Sequence, residues 1–261
     1  MLEDDFTYVL RKALTGRQLS PEEAAARAGL SECAVMSFME GSFDPRTARK
    51  LAVVLGLNAD AFAGHDRYHP APLSIPEVRR LDLPFGGEQV NAWLVRKDGM
   101  TVMFDAGYDA HDLLRALDEA SPGCTPDRVF VTHTHRDHVG GLEKLKAQGV
   151  QVHAADIPGT ILMEPGDERV CGPLRIRACD LSGHALPSLG FHVEGLEHPV
   201  LVTGDAVFAG SIGGCASKEA FQHAQERIHE VIDGLPDETI LLPGHGPATT
   251  LGEERRANPF L

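Results

Sequence analysis

The 261-residue chain contains no run of the ~18–20 apolar residues that a membrane-spanning helix requires. Its opening segment, MLEDDFTYVL, lacks the basic start and apolar core of a secretory leader, so a cytoplasmic protein is the expectation. Cysteine is sparse: five residues, an odd number, with no pair at CxxC spacing. That argues against a disulfide framework and for reduced thiols. Positive charge is also short. Lys and Arg number 24 against 38 Asp and Glu, a net charge of −14, which disfavours general binding to a phosphate backbone. No short-period repeat, low-complexity tract or GxSxG elbow is present. What remains is an ordinary globular composition, 43% hydrophobic and 24% charged. The length suits one large domain, or a medium domain with a small one.

Residues 1–62 read as four or five short helices. Ser20 can cap a helix whose first position is Pro21 and whose third is Glu23, the pattern of a capping box. Gly29 ends that helix and Ser31 caps the next. Asp44-Pro45 starts another, which Gly56 ends. The stretch QLSPEEAAARAGLSECAVMSFMEGSFDPRTARKLAVVLGL resembles the helix-turn-helix domain of phage-repressor-type regulators. The resemblance implies a DNA-reading helix after the turn, here SECAVMSFMEG. That helix has two glutamates and no Lys or Arg, and residues up to Gly64 hold seven Lys and Arg against nine Asp and Glu. Phosphates and base edges need basic or amide side chains. The sequence therefore favours a scaffold, or a homodimer contact, over nucleic-acid binding. Val35, Met36, Phe38 and Met39 are candidates for that contact or for the core. Residues 63–77, with three prolines and no apolar periodicity, read as a linker. His65 and His69 within it read as solvated loop residues.

From residue 78 to 261, short strand-like runs alternate with helical ones. VNAWLV and TVMFDAG pair around Lys97-Asp98-Gly99. RVFVT is a buried strand, followed by the helix GLEKLKAQG. VQVHA, LRIRACD, LGFHVEG, PVLVTGD and TILLPGH are further strands, and AFQHAQERIHEVIDGL is a long helix.

One segment is dense in metal-binding side chains. VFVTHTHRDHVGG places His133, His135, Asp137 and His138 between a strand and a helix that starts near Gly140. A strand-to-helix loop can turn neighbouring residues into one cleft, which a regular strand or helix cannot do at this density. Imidazole with carboxylate suits zinc, and also iron or manganese. Three other strand-like runs end in a glycine followed by His or Asp: His184, Asp205 and His245. Four separate strand ends supplying His and Asp look like one site at the edge of a sheet.

In this order HxHxDH, GH, GD and GHG resemble the metallo-β-lactamase superfamily over about 180 residues. The resemblance implies an α/β fold, the αββα sandwich of two mixed sheets flanked by helices. It also implies two divalent metal ions, with zinc expected and iron or manganese as alternatives. His133, His135 and His184 would hold one ion and Asp137, His138 and His245 the other, with Asp205 between them. Asp105, after the strand TVMF, matches a further family position and is expected to hydrogen-bond a ligand histidine and fix its tautomer. The other histidines, His111, His192, His198, His223 and His229, read as face residues. His153, after a strand, is expected nearer the cleft.

The tail LPGHGPATTLGEERRANPF, with NAWLV (91–95) and GDAVFAGSIG (204–213), is similar to short hydroxyacylglutathione hydrolases, the glyoxalase II group. That similarity implies thioesterase activity on a small-molecule S-acyl thiol such as an acylglutathione. The nucleophile would be a metal-bridging hydroxide oriented by Asp137, with Asp205 also catalytic. Two segments depart from the group, Ala185-Leu186-Pro187-Ser188 after His184 and Gly214-Cys215-Ala216 after Gly213. The loop Pro84-Phe85-Gly86-Gly87 is a candidate flap with Phe85 as an apolar contact. Alternatives of the same histidine pattern are a mononuclear iron persulfide dioxygenase and a lactone hydrolase. The non-enzyme alternative is a ligand-sensing DNA-binding regulator.

Overall fold

The computed structural model describes residues 1–261. Five helices come first: α1 (Phe6–Arg17), α2 (Pro21–Ala28), α3 (Glu32–Met39), α4 (Pro45–Leu55) and α5 (Ala59–Gly64). Each starts where a side chain can satisfy orphan amides of the first turn. Asp5, Ser20, Ser31, Asp44 and Asn58 all accept such bonds, and Ser20 with Glu23 forms the reciprocal capping box. Gly29 and Gly56 close their helices in the left-handed conformation.

The remainder builds two sheets. The first runs β1 (Val78–Phe85), β2 (Glu88–Lys97), β3 (Met100–Phe104), β4 (Arg128–Phe130), β5 (Gln151–Ala154) and β6 (Ile161–Leu162), in that spatial order. It is antiparallel through β3 and parallel beyond it. Helices α6 (Ala110–Ala120), α7 (Arg136–Val139) and α8 (Leu142–Ala147) lie in its connections. The second sheet holds β7 (Glu168–Cys171), β8 (Leu174–Asp180), β9 (Leu189–Glu194), β10 (Val200–Gly204), β13 (Ile240–Pro243) and β14 (Thr249–Thr250). A two-stranded ribbon, β11 (Val207–Phe208) with β12 (Ser211–Ile212), leaves the end of β10. Helix α9 (Lys218–Ile232) follows it, and α10 (Leu251–Ala257) follows β14.

Alternation along the strands explains the layering. Phe130, Val200, Val202, Ile240 and Leu242 point between the sheets, where they meet Phe104, Phe191 and Trp93. Their neighbours Val129 and Val131 face the opposite way, towards Leu113 of α6 and Leu145 of α8. Leu201 and Leu241 face outwards from the second sheet, and there they meet the five N-terminal helices. Val9, Leu10, Phe38, Leu51 and Phe62 share one continuous core with Leu201, Ile212, Leu241, Phe221 and Phe260. The result is an αββα sandwich, with the N-terminal helical region forming much of the outer layer on the second sheet. A fully buried Phe such as Phe38 or Phe221 contributes roughly 1.5–3 kcal/mol relative to exposure, so the docking is substantial.

Three local expectations need correction. The stretch expected as linker begins inside α5, and a 3₁₀ turn continues to Arg67. His65 is not a solvated loop residue. It is 2% exposed, and its Nε2 lies 2.9 Å from the Gly210 carbonyl, because the turn presses it against the β11–β12 ribbon. His153 is not near the cleft: it stacks on Phe130 at 4.7 Å between the sheets, on the inward-facing side of β5.

Candidate metal centre

Four chain segments end on the same edge of the sandwich. After β4 the chain leaves the sheet and presents His133 and His135. The single turn of α7 then carries Asp137 and His138, so the helix begins earlier than Gly140. His184 follows β8, Asp205 follows β10, and His245 follows β13. Two groups form: His133, His135, His184 and Asp205, then Asp137, His138 and His245, with donor atoms of each group within 4.8 Å of one another.

Asp205 lies between them. Its Oδ2 is 3.5 Å from His184 Nε2, 3.8 Å from His133 Nε2 and 3.5 Å from His245 Nε2. Its Oδ1 is 3.3 Å from His138 Nε2. Asp137 Oδ2 stands 3.3 Å from His245 Nε2 and 3.7 Å from His138 Nε2. Such density needs glycine at the neighbouring positions. A Cβ on Gly244 would sit 2.2 Å from Asp205 Oδ1, and one on Gly213 would sit 2.0 Å from the Asp205 carbonyl oxygen.

The imidazoles are oriented from behind. His138 Nδ1 donates to Asp105 Oδ2 at 2.8 Å, His184 Nδ1 to the Gly214 carbonyl at 2.7 Å, and His245 Nδ1 to the Gln89 carbonyl at 2.9 Å. His133 Nδ1 donates to Thr132 Oγ1 at 3.0 Å, and the Thr132 hydroxyl donates in turn to Asp105. With Nδ1 protonated, the Nε2 lone pair of each ring faces the centre. Asp105 itself is buried and adopts φ of 61°, a conformation rare for residues with a side chain. Its carboxylate also accepts the Thr132 amide at 2.8 Å.

This donor set fits divalent cations. His133 Nε2, His138 Nε2 and Asp205 Oδ1 are buried yet have no hydrogen-bond partner, a costly arrangement unless something else binds them. The field has the right sign. Burial disfavours charge on His138 and His245, yet the carboxylates around them prevail, raising His138 to about 10 and His245 to about 11. Asp205 is held well below the usual carboxylate range despite burial, chiefly by His138. His133 is pushed far down by burial and by His138. The carboxylates thus favour positive charge at the centre, carried by protons on His138 and His245 or by a cation that displaces them.

Aromatic side chains wall one side. Phe85, in the tip of the β1–β2 hairpin, has its ring 6.4 Å from that of His245 and 5.3 Å from that of Tyr108. The Phe208 ring lies 6.0 Å from that of His245. The Arg136 guanidinium lies 4.5 Å over Tyr108. A cavity of about 780 Å³, lined in part by Glu3, Arg80, Glu88 and Gln89, opens beside the His245 anchor. Sequence reasoning missed Glu3, Asp4, Lys12 and Thr132 as surroundings of the site. Thr132 was legible as the residue preceding HxHxDH. Glu3 and Asp4 precede α1 and Lys12 lies within it, and neither stretch carries a local signal.

The metallo-β-lactamase superfamily model matches residues 85–169. The uncharacterized protein ML0493 of Mycobacterium leprae is 30% identical over 216 residues, covering 68% of this chain and 96% of its own. The hydroxyacylglutathione hydrolase GloC of Haemophilus influenzae is 28% identical over 205 residues, 69% of this chain and 96% of that one. Among solved structures, TTHA1623 in a di-iron-bound form superposes with a TM-score of 0.54 at 28% identity, covering 74% of this chain and all of that one (100%). The fold, the paired His/Asp clusters and these relatives agree: the chain belongs to the metallo-β-lactamase superfamily and is one of its metal-dependent hydrolases.

Proposed function

We propose that this protein hydrolyses the thioester of a small thiol, with an S-acylglutathione as the model substrate and zinc as the expected ion. The observation that carries the reading is Asp205, whose two oxygens face both clusters at 3.3–3.5 Å. His133, His135 and His184 would hold one cation, Asp137, His138 and His245 the other, with Asp205 shared. When bound, such a pair lowers the pKa of a water towards neutrality and polarises a substrate carbonyl.

The chain's own part is to orient and to exclude water. Asp137 Oδ2 sits at the cleft between His138 and His245, placed to accept a hydrogen bond from the attacking water and hold it in line. Phe85, Tyr108 and Phe208 supply an apolar wall for an acyl chain. A thiolate leaves readily, so no side chain need protonate it. Similarity to GloC supports a thioester, and the second, fully buried cluster supports two ions over a mononuclear dioxygenase.

The helices before residue 63 serve this reading as a scaffold. The exposed face of α3 presents Glu32, Cys33 and Met36, with Glu40 at its C-cap, a poor match to DNA. The test is metal quantification with a substrate screen on the full chain. Two ions per chain with thiol release from acylglutathiones supports the proposal. A fully loaded protein that consumes only lactones or persulfides overturns the substrate.

A further inference from the structure

The β11–β12 ribbon is gripped from outside the sandwich. His65, in the turn after α5, bonds the Gly210 carbonyl at 2.9 Å, and buried Glu254 of α10 accepts the Gly210 amide at 2.8 Å. At the ribbon's exit, Lys12 of α1 donates to the Ile212 carbonyl at 2.9 Å. The same ammonium pairs with Asp4, which is only 5% exposed, and lies 5.1 Å over the Phe208 ring. The next two residues touch the centre. Gly213 packs against the Asp205 backbone and His184, and the Gly214 carbonyl accepts the His184 Nδ1 proton at 2.7 Å.

We propose that Lys12 is a positioning residue for the His133/His135/His184 cluster, so that the N-terminal helical region is a working part of the centre. The inference rests on the reading that this cluster holds a cation. The path is short and continuous: Lys12 and Asp4 fix the Ile212 carbonyl, that peptide fixes the course of Gly213 and Gly214, and the Gly214 oxygen fixes the tautomer and angle of His184. Lys12 is the one charged donor to this segment. Without it a desolvated carbonyl is left facing Asp4, and the pressure is to move the loop. His138 and His245 are tied to Asp105 and Gln89 instead, so the second cluster lies off this path.

The test is a cobalt titration of the full-length chain and of Lys12→Met and Lys12→Arg, read by stoichiometry and visible absorption. Imidazole ¹⁵N shifts of the metal-free proteins accompany it. Groups behind a ligand typically alter metal affinity about 10–100-fold. One of the two cobalt equivalents should weaken about tenfold in Lys12→Met, at the low end of that range, while the other holds. The His184 ring should lose its fixed Nδ1–H tautomer, and Lys12→Arg should restore most of both. Equal two-ion binding and an unchanged His184 ring in a folded Lys12→Met variant overturn the proposal. Should that variant not fold, Asp4→Asn replaces it: a smaller weakening of the same equivalent supports the role, and unchanged affinity overturns it. A wild-type chain that binds no cobalt takes the metal reading down as well, an outcome distinct from the first.

Discussion

The two halves of the centre are built differently. Asp137, His138 and His245 are all buried, and two of them are tied to a buried carboxylate and to a backbone carbonyl of β2. In the other half His135 is exposed and His184 only partly buried. The latter is held by the carbonyl of a loop whose position depends on the ribbon and on α1. One half is thus organised by the sheets, the other by loops and a docked helix. The difference teaches that each half has a support of its own, the Gly214 carbonyl for His184 and the Gln89 carbonyl for His245, beside Asp105, which serves both.

Four expected outcomes sharpen or break that contrast. The largest belongs to Asp205, which faces both halves. Asp205→Asn should empty both and lower turnover by about a thousandfold or more, several kcal/mol of transition-state stabilisation at ~1.4 kcal/mol per tenfold. Two ions retained at wild-type affinity would break the shared role. Next comes Asp105→Ala. It removes the acceptor of His138 and, through Thr132, the support of His133. Affinity should fall about 10–100-fold, more at the buried half, as measured by competition with a chelator.

Thr132→Val should be milder and one-sided. It keeps the shape but removes the hydroxyl between Asp105 and His133, so only the exposed half should weaken, by about tenfold or less. An equal loss at both halves would contradict the separation.

The smallest effect comes from His153, a buried imidazole of neither half, both of whose nitrogens lack a partner. Burial, with help from Arg128 and Arg169, pushes it from 6.5 to about 4. The neutral ring is favoured in the fold, so the unfolded chain binds the extra proton between those values. Its contribution to stability is complete above about 6.5, falls as pH drops, and is lost below about 4. His153→Phe, melted in chelator across that range, should show a shallower fall of Tm with acid than wild type. Parallel curves would show that the ring's protonation does not matter to the fold.

Much of this was legible before the structure. The caps at Ser20, Ser31 and Asp44 and the stops at Gly29 and Gly56 are local signals, and local hydrogen bonds decide them. The strand LRIRACD is observed as β8 with the same ends, because its alternation matches a half-covered sheet. The seven candidate His and Asp side chains stood out in the sequence because four crowd one strand-to-helix loop and three follow a glycine at the end of a strand-like run. The start of the linker was misjudged, since residues 63–67 continue α5 and a 3₁₀ turn. Prolines mark irregular chain, but nothing local tells that Ala63 and His65 have a core waiting for them. His153 was misplaced for the same reason: the end of a strand does not say which face a side chain takes, and here the ring turned towards Phe130.

The amino-acid sequence by itself determined which groups can bind a cation, where the helices begin and end, and which strand faces are apolar. These depend on neighbours within a few residues or on period-two alternation. Only the tertiary structure decided that Asp205 stands between two clusters and that Asp105 serves His138 directly and His133 through Thr132. It alone brought Lys12, 200 residues away in the chain from Ile212, to that residue's carbonyl. The physical reason is that these arrangements follow from how layers pack, and packing is settled by shape and burial between distant segments, which no local pattern encodes.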